Sequence, residues 1–167
     1  MSDQAVITAD ELIESSPAVR AFAMLLRAQA VTTRELSATL LSEHGLTIND
    51  FEALLVLSSA PDQRMKRVEL ARRLLLTPSG VTRLLEGLED AGLVERAACE
   101  SDLRVTYAQL TDGGREKLAD ASCGHTASIR TLFEEHLSAE EIEQLGEVLA
   151  KLPGVAHGDD ACSTVGV

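Results

Sequence analysis

The sequence predicts a mainly α fold with a small β-hairpin wing, in which a winged helix-turn-helix unit is flanked by N- and C-terminal helices. Three observations carry that expectation. Between Arg64 and Leu110 two short amphipathic segments meet at a tight turn and lead into two β-rich stretches. Apolar residues recur at helical spacing on both sides of this region. Aromatic residues make up only 2% of the 167-residue chain, with no Trp and one Tyr, so a core of Leu, Ala and Val is required, which suits packed helices.

The elements follow in order. Residues 1–16 are polar and acidic and are expected to form a flexible extension. Ser16-Pro17 is a helix start, with Ser as N-cap and Pro in the first turn. From there Val19, Phe22, Ala23, Leu26, Ala30, Leu36, Leu40 and Leu41 keep helical spacing until Gly45, a C-terminal glycine stop. Thr47 caps a second helix through Phe51, Leu54, Leu55 and Leu57 that ends before Pro61. The polar connection 61–67 has room for a short strand. Val68–Leu75 form a third helix, and Thr77-Pro78 opens a fourth that runs to Ala91 and stops at Gly92. Leu93–Ala98 and Leu103–Leu110 are strands joined by a loop. Thr111 caps a fifth helix to about Leu137. Ser138-Ala-Glu-Glu141 is a capping box that opens a sixth helix, ending near Pro153. The segment 154–167 is rich in Gly and Asp without periodicity and is expected to be disordered.

On a helical wheel Val81, Leu84, Leu85 and Leu88 fall on one stripe of the fourth helix, which packs on Val68, Leu70, Ala71 and Leu74 of the third. The opposite face carries Ser79, Arg83, Glu86 and Asp90, with Thr82 on its flank. Ser79, Thr82 and Arg83 are residue types that bond base edges and phosphates, and the helix N-terminus offers unpaired N–H groups and the positive end of a dipole. Glu86 and Asp90 oppose a phosphate unless that end leaves the groove, or unless they pair with Arg83 or another basic side chain. In the hairpin, Arg96 lies on the first strand and Asp102 and Arg104 around the turn. A protruding ribbon can place an arginine in the minor groove.

Charge supports the same surface. Eight basic and seven acidic residues fall between 64 and 104, a balance of +1, so the remainder of this −12 chain carries −13. A near-neutral island in an acidic protein is where a polyanion docks, because local and not net charge governs docking.

Other classes find little support. No apolar run approaches the roughly 20 residues of a membrane span. Residues 1–16 lack a basic and apolar leader pattern, so a cytoplasmic protein is expected. Cys99, Cys123 and Cys162 are odd in number and show no CxxC spacing, which argues against a disulfide framework and a zinc site. There is no HExxH, no GxSxG and no phosphate-binding glycine loop, and Gly113-Gly114 lacks the surrounding motif. Neither an enzyme nor a bound cofactor is expected.

The segments VELARRL, TPSGVTRLLEGLEDAGLVER and SDLRVTYAQLTDGGREKL resemble, in turn, the first helix of the helix-turn-helix, the recognition helix with the start of the wing, and the wing tip with its returning strand in the MarR family of bacterial regulators. The resemblance spans about residues 17–152 and is most specific over 66–118. It implies a homodimer held by helices 17–46 and 111–153, with a DNA-binding region at 47–110. Each recognition helix would enter a major groove of a palindromic double-stranded operator and each wing the adjacent minor groove. Carried onto this chain, Ser79, Thr82 and Arg83 face bases and phosphates, Asp102 orients Arg104 at the wing tip, and Arg72, Arg73 and Arg96 are further phosphate contacts. The family's wing often has two adjacent basic residues after the Asp; here Leu103 takes the first place.

The resemblance also implies a small anionic or phenolic effector, bound between the dimer helices and the DNA-binding lobe, that releases a repressor by changing the spacing of the recognition helices. Arg20, Arg27, His44 and Arg64 are the polar candidates for that cleft. The lack of Trp disfavours a urate site. Two alternatives stay open. One is a thiol-based sensor using Cys99, although Glu100 and Asp102 would raise its pKa and Cys123 reads as a packing residue. The other is a winged helix that binds a protein partner and no DNA, motivated by the acidic net charge and Leu103.

Overall fold

The computed structural model describes residues 16–98 and 106–155. Six helices and a three-stranded sheet are found there: α1 Pro17–His44, α2 Ile48–Ser58, β1 Arg64–Lys66, α3 Arg67–Arg73, α4 Pro78–Asp90, β2 Val94–Ala98, β3 Thr106–Leu110, α5 Asp112–Glu134 and α6 Ala139–Ala150, with a 3-10 turn at Pro61–Gln63. The expected extension, Cys99 and the wing-tip residues, and most of the expected tail lie outside the described residues.

The sequence signals act at the ends of these helices. Gly45 adopts φ +67°, and its N–H donates to the Leu41 carbonyl at 2.9 Å, which stops the 28-residue α1. Ser16 occupies the N-cap of α1 but accepts no bond with its side chain, so only its backbone carbonyl, bonded by Arg20 N–H, begins the helix. Thr47 and Asp50 cap α2 reciprocally, and Ser138 and Glu141 do the same for α6. The two N–H and O–H donors of Ser138 hold the Glu141 carboxyl below the usual carboxylate range.

The wing is larger than a hairpin. The strand order is β1-β3-β2, all antiparallel, with Met65 opposite Ala108 and Arg96 opposite the same residue on the other edge. β1 is short because only Met65 of its three residues points inward, where it is 4% exposed between two solvent-facing cations. A three-residue strand with one apolar position leaves almost no alternation in the sequence.

The core sits in the winged helix. Leu54 and Leu57 of α2, Leu70 of α3, Leu85 of α4 and Leu110 of β3 are fully buried, together with Leu40 from the end of α1. Each such leucine contributes about 1.5–3 kcal/mol from apolar burial. Val81, Leu85 and Leu88 of α4 are buried and Leu84 is partly so, as the wheel predicts. Val68 differs: it is 66% exposed, because α3 begins at Arg67 and turns Leu70 and Ala71 inward instead.

A single residue, Thr111, joins the central strand β3 to the 23-residue α5. Its hydroxyl accepts from Gly114 N–H at 3.0 Å and donates to the Gly92 carbonyl at 2.8 Å, while its N–H donates to the Leu93 carbonyl. Gly114 faces that same carbonyl so closely that a Cβ there would lie 2.1 Å from the oxygen. The entrance to α5 is thereby locked to the root of the wing. Farther along, α5 packs on α1, whereas α6 has no buried residue at all.

Candidate nucleic-acid interface

The turn between α3 and α4 sets how the second helix is presented. Leu75 N–H bonds the Arg72 carbonyl and Leu76 N–H the Ala71 carbonyl, with Leu75 in the left-handed region at φ 53°. Its side chain is 93% exposed, so no packing offsets the strain of a branched residue in that conformation. Thr77 then caps α4, its hydroxyl accepting from Gly80 N–H at 3.1 Å. Val81 N–H is bonded to the Thr77 carbonyl, and Pro78 has no N–H. Of the backbone nitrogens at Thr77–Gly80 that open α4, Pro78's carries no hydrogen and Gly80's is capped, which leaves the N–H groups of Thr77 and Ser79 without a protein partner among the described residues. The expected row of free donors is thus reduced to two, and the positive dipole end carries the rest of the attraction for an anion.

Ser79 and Arg83 project from the exposed face of α4. Arg83 makes no ion pair or side-chain hydrogen bond among the described residues, which leaves its five N–H donors available. Thr82 is half-buried and occupied. Its hydroxyl donates to the Pro78 carbonyl at 2.8 Å and accepts from the Arg67 guanidinium at 2.9 Å. With its one proton committed, Thr82 presents no donor to a base, and its polar role passes to Arg67. Sequence periodicity gave no sign of Arg67, because the contact joins residues fifteen apart on different helices.

The acidic back half of α4 lacks the pairing that was one of the two expectations for it. Neither Glu86 nor Asp90 pairs with Arg83 or any other cation among the described residues. Glu89 does pair, with Arg96 of β2, whose Nε lies 2.8 Å from both carboxylate oxygens. That hydrogen bond and the charge of Glu89 hold Arg96 more firmly in its charged form. Arg96 therefore braces β2 against α4 rather than standing free for a phosphate. Arg73 is drawn to Glu69 at 3.9 Å, a weak exposed contact, and Arg72 is unpaired among the described residues.

The four candidates for an effector cleft are not brought together. Arg20 and Arg27 lie on the exposed surface of α1. Arg64 bonds Asp62 at 3.2 Å and stacks 5.5 Å from the Tyr107 ring centroid. His44 sits between α1 and α5, its Nδ1 3.0 Å from an Asp120 oxygen. Its neighbour His125 packs 4.7 Å from the Phe51 ring and has a buried Nδ1 without a hydrogen-bond partner. Burial, and then the charge of His44, push the His125 pKa down. A cleft of about 590 Å³ does open between α1 and α5, lined by Leu36, Thr39, Ser128 and Leu132 among others, but none of the four candidates borders it. Cys123 is exposed on α5. Cys99, Asp102 and Arg104 lie outside the described residues. No helix among the described residues is long and apolar enough to cross a membrane.

Comparison with known proteins adds three findings. The family model described as MarR family matches residues 44–104, which runs from the end of α1 to the wing. An HTH-type transcriptional repressor of Mycobacterium tuberculosis is 38% identical over 131 residues, covering 77% of this chain and 90% of that protein. Among solved structures, AbsC, a MarR family transcriptional regulator from Streptomyces coelicolor, superposes with a TM-score of 0.71 at 32% identity, over 80% of this chain and 90% of that one. A second regulator of that family and organism, solved in complex with DNA, gives 0.72 at 27% identity, over 89% and 88% of the two chains.

Proposed function

The chain belongs to the MarR family of DNA-binding transcriptional regulators, and on that premise we propose that it is a homodimeric repressor that reads a palindromic operator through α4 and is released by a small-molecule effector. The observation that carries the reading is the free first half of α4. Ser79 and Arg83 are exposed on a helix whose other face is anchored by Val81, Leu85 and Leu88. A polar surface on so firmly packed a helix can be set in a major groove at little further entropic cost. Arg83 is the base-reading or phosphate-binding residue, Ser79 its neighbour at the dipole end, and Arg72 a backbone contact. The wing beyond β2, with Asp102 and Arg104, enters the adjacent minor groove. Glu86 and Asp90, unneutralised, mark the end of α4 that leaves the DNA.

Support for the dimer comes from the flanking helices. α6 carries Ile142, Leu145, Val148 and Leu149 at helical spacing, with Leu152 just beyond its end, yet none of its residues is buried. On α1, Phe22 is 60% and Leu26 52% exposed. Two unpartnered apolar stripes at the two ends of the chain suit an interlocked, self-complementary interface made from residues 17–46 and 111–153.

In vitro selection of random duplex DNA at about physiological salt tests the whole reading. Enrichment of a palindrome with half-sites about one helical turn apart is the expected result. A folded, dimeric protein that enriches no sequence would instead favour a winged helix that serves a protein partner.

A further inference from the structure

Arg67 is fixed at both ends. Its backbone follows β1 without a loop, so the antiparallel pairing of Lys66 with Tyr107 sets where α3 begins, and Leu70 and Ala71 then seat that helix in the core. Its guanidinium is held by a different element. Nη2 donates to the Thr82 hydroxyl of α4 at 2.9 Å, and that hydroxyl gives its own proton to the Pro78 carbonyl one turn earlier, at 2.8 Å. A held arginine loses much of its rotamer freedom, and here folding has already taken that loss. One N–H of the five is used, and the remaining charged donors are left for a second acceptor.

The place of that guanidinium decides what the acceptor is. Thr82 lies on the flank of α4, one residue from Arg83 and three from Ser79, so the head of Arg67 sits beside the reading face and not on it. Lys66 and Arg72 border the same open cleft as Arg67 and Thr82, and no carboxylate does. A helix lying in a major groove has base edges in front of it and a sugar–phosphate backbone along each side. A cation fixed at the flank meets phosphate before it meets a base. Two of the arginines expected at the backbone, Arg73 and Arg96, are drawn to Glu69 and Glu89 instead.

We infer that Arg67 is a positioning residue for DNA reading. Preset by Thr82, it grips a backbone phosphate at the edge of the groove and so fixes the register in which α4 presents Ser79 and Arg83. The inference rests on the function proposed above. It gives Thr82 an indirect part, since the threonine acts on DNA only through the arginine.

The test is a double-mutant cycle on Arg67 and Thr82. Fluorescence anisotropy of the full-length protein follows a duplex from the selection and a scrambled duplex of equal length, over a range of salt. Arg67→Ala should weaken both duplexes alike, by about tenfold per subunit, and make the slope of log affinity against log salt shallower by about 0.9 per subunit. Arg67→Lys keeps the charge without the fork, and should keep the slope while losing about threefold in affinity. Thr82→Val, nearly isosteric and uncharged, should also cost about threefold at an unchanged slope, and should cost nothing further in Arg67→Ala. Circular dichroism of each variant separates these losses from unfolding, and Arg67→Lys is the variant least able to disturb the fold.

Unchanged affinity and slope in Arg67→Ala overturn the inference and leave the function standing. So does a loss confined to the selected duplex, which makes Arg67 a base reader. An equal Thr82→Val loss in both backgrounds gives the threonine a contact of its own and overturns the inference too. Wild-type protein that retains neither duplex overturns the function and this inference together.

Discussion

Gly114→Ala is expected to loosen the joint between wing and α5, and the size of the effect follows from the geometry. A Cβ at this position would lie 2.1 Å from the Leu93 carbonyl oxygen and 2.7 Å from Leu110 Cδ1. The leucine methyl can rotate away, but the oxygen cannot, because it accepts the Thr111 N–H at 3.1 Å. Ordinary contact requires more than an ångström of movement, enough to break that bond. Overpacking of this kind costs about 1–3 kcal/mol and the lost hydrogen bond about 1 more, against a gain of up to about 1 kcal/mol for alanine in a helix. A net loss of about 1–3 kcal/mol is expected, or about 2–12 °C in Tm at fixed protein concentration. Gly113→Ala is the control. Its nearest would-be contact is the Gly92 carbonyl oxygen at 3.6 Å, which is ordinary packing, so stability should change by no more than about 0.5 kcal/mol. Urea denaturation of both variants decides the matter. Equal midpoints for the two would refute the argument that Gly114 is required by close backbone approach.

Four further outcomes are expected. Arg83→Ala should cost about 1–3 kcal/mol in affinity for a selected duplex and blur preference at one base pair, measured by fluorescence anisotropy over single-base variants; uniform weakening would make Arg83 a phosphate contact. Val148→Asp, on the unburied stripe of α6, should shift sedimentation velocity from dimer to monomer at micromolar protein, and an unchanged profile would remove α6 from the proposed interface. Leu75→Gly relieves a left-handed branched residue that packs on nothing, and a stability gain of about 0.5–1 kcal/mol is expected in urea, after the entropy of the more flexible unfolded chain is subtracted. For His125 the sign follows from its lowered pKa: below the ordinary histidine range the unfolded chain binds the proton more readily than the folded one, so stability falls as pH drops and returns as pH rises. Replacing it by Asn should flatten the change in urea midpoint between about pH 7.5 and about pH 5, and an identical slope in both proteins would assign the effect to other groups.

What was legible in the sequence was periodic or local. The buried stripe Val81, Leu85, Leu88 follows from helical spacing, and the Thr77-Pro78 start and the Ser138–Glu141 box follow from short-range hydrogen bonds between neighbours in the chain. Contacts between elements carry no such signature. Thr82 looks like a base-facing hydroxyl on a wheel, but a guanidinium fifteen residues away and its own helix backbone claim it. Arg96 looks like a strand cation aimed at DNA, yet a carboxylate on the preceding helix holds it. Glu86, Glu89 and Asp90 are chemically alike in the sequence, and only the path of β2 selects Glu89. β1 falls inside the connection 61–67 where the sequence leaves room for a strand, but one buried methionine between charged neighbours has no period to fix its position. Val68 shows the converse error, since an apolar residue at helical spacing was assigned to the core and is instead the wall of an open cleft.

The one-residue link at Thr111 turns α5 into a lever. Twenty-three helical residues at 1.5 Å each make an arm about 34 Å long. Its near end is pinned to the sheet by the Thr111 bonds and the close seat of Gly114, so it has no slack in which to lose motion. Tilting such an arm by about 5° displaces one end by about 3 Å relative to the other, nearly the 3.4 Å step between neighbouring bases on a DNA strand. A tilt of α5 by only a few degrees would then move a reading head by almost one base pair.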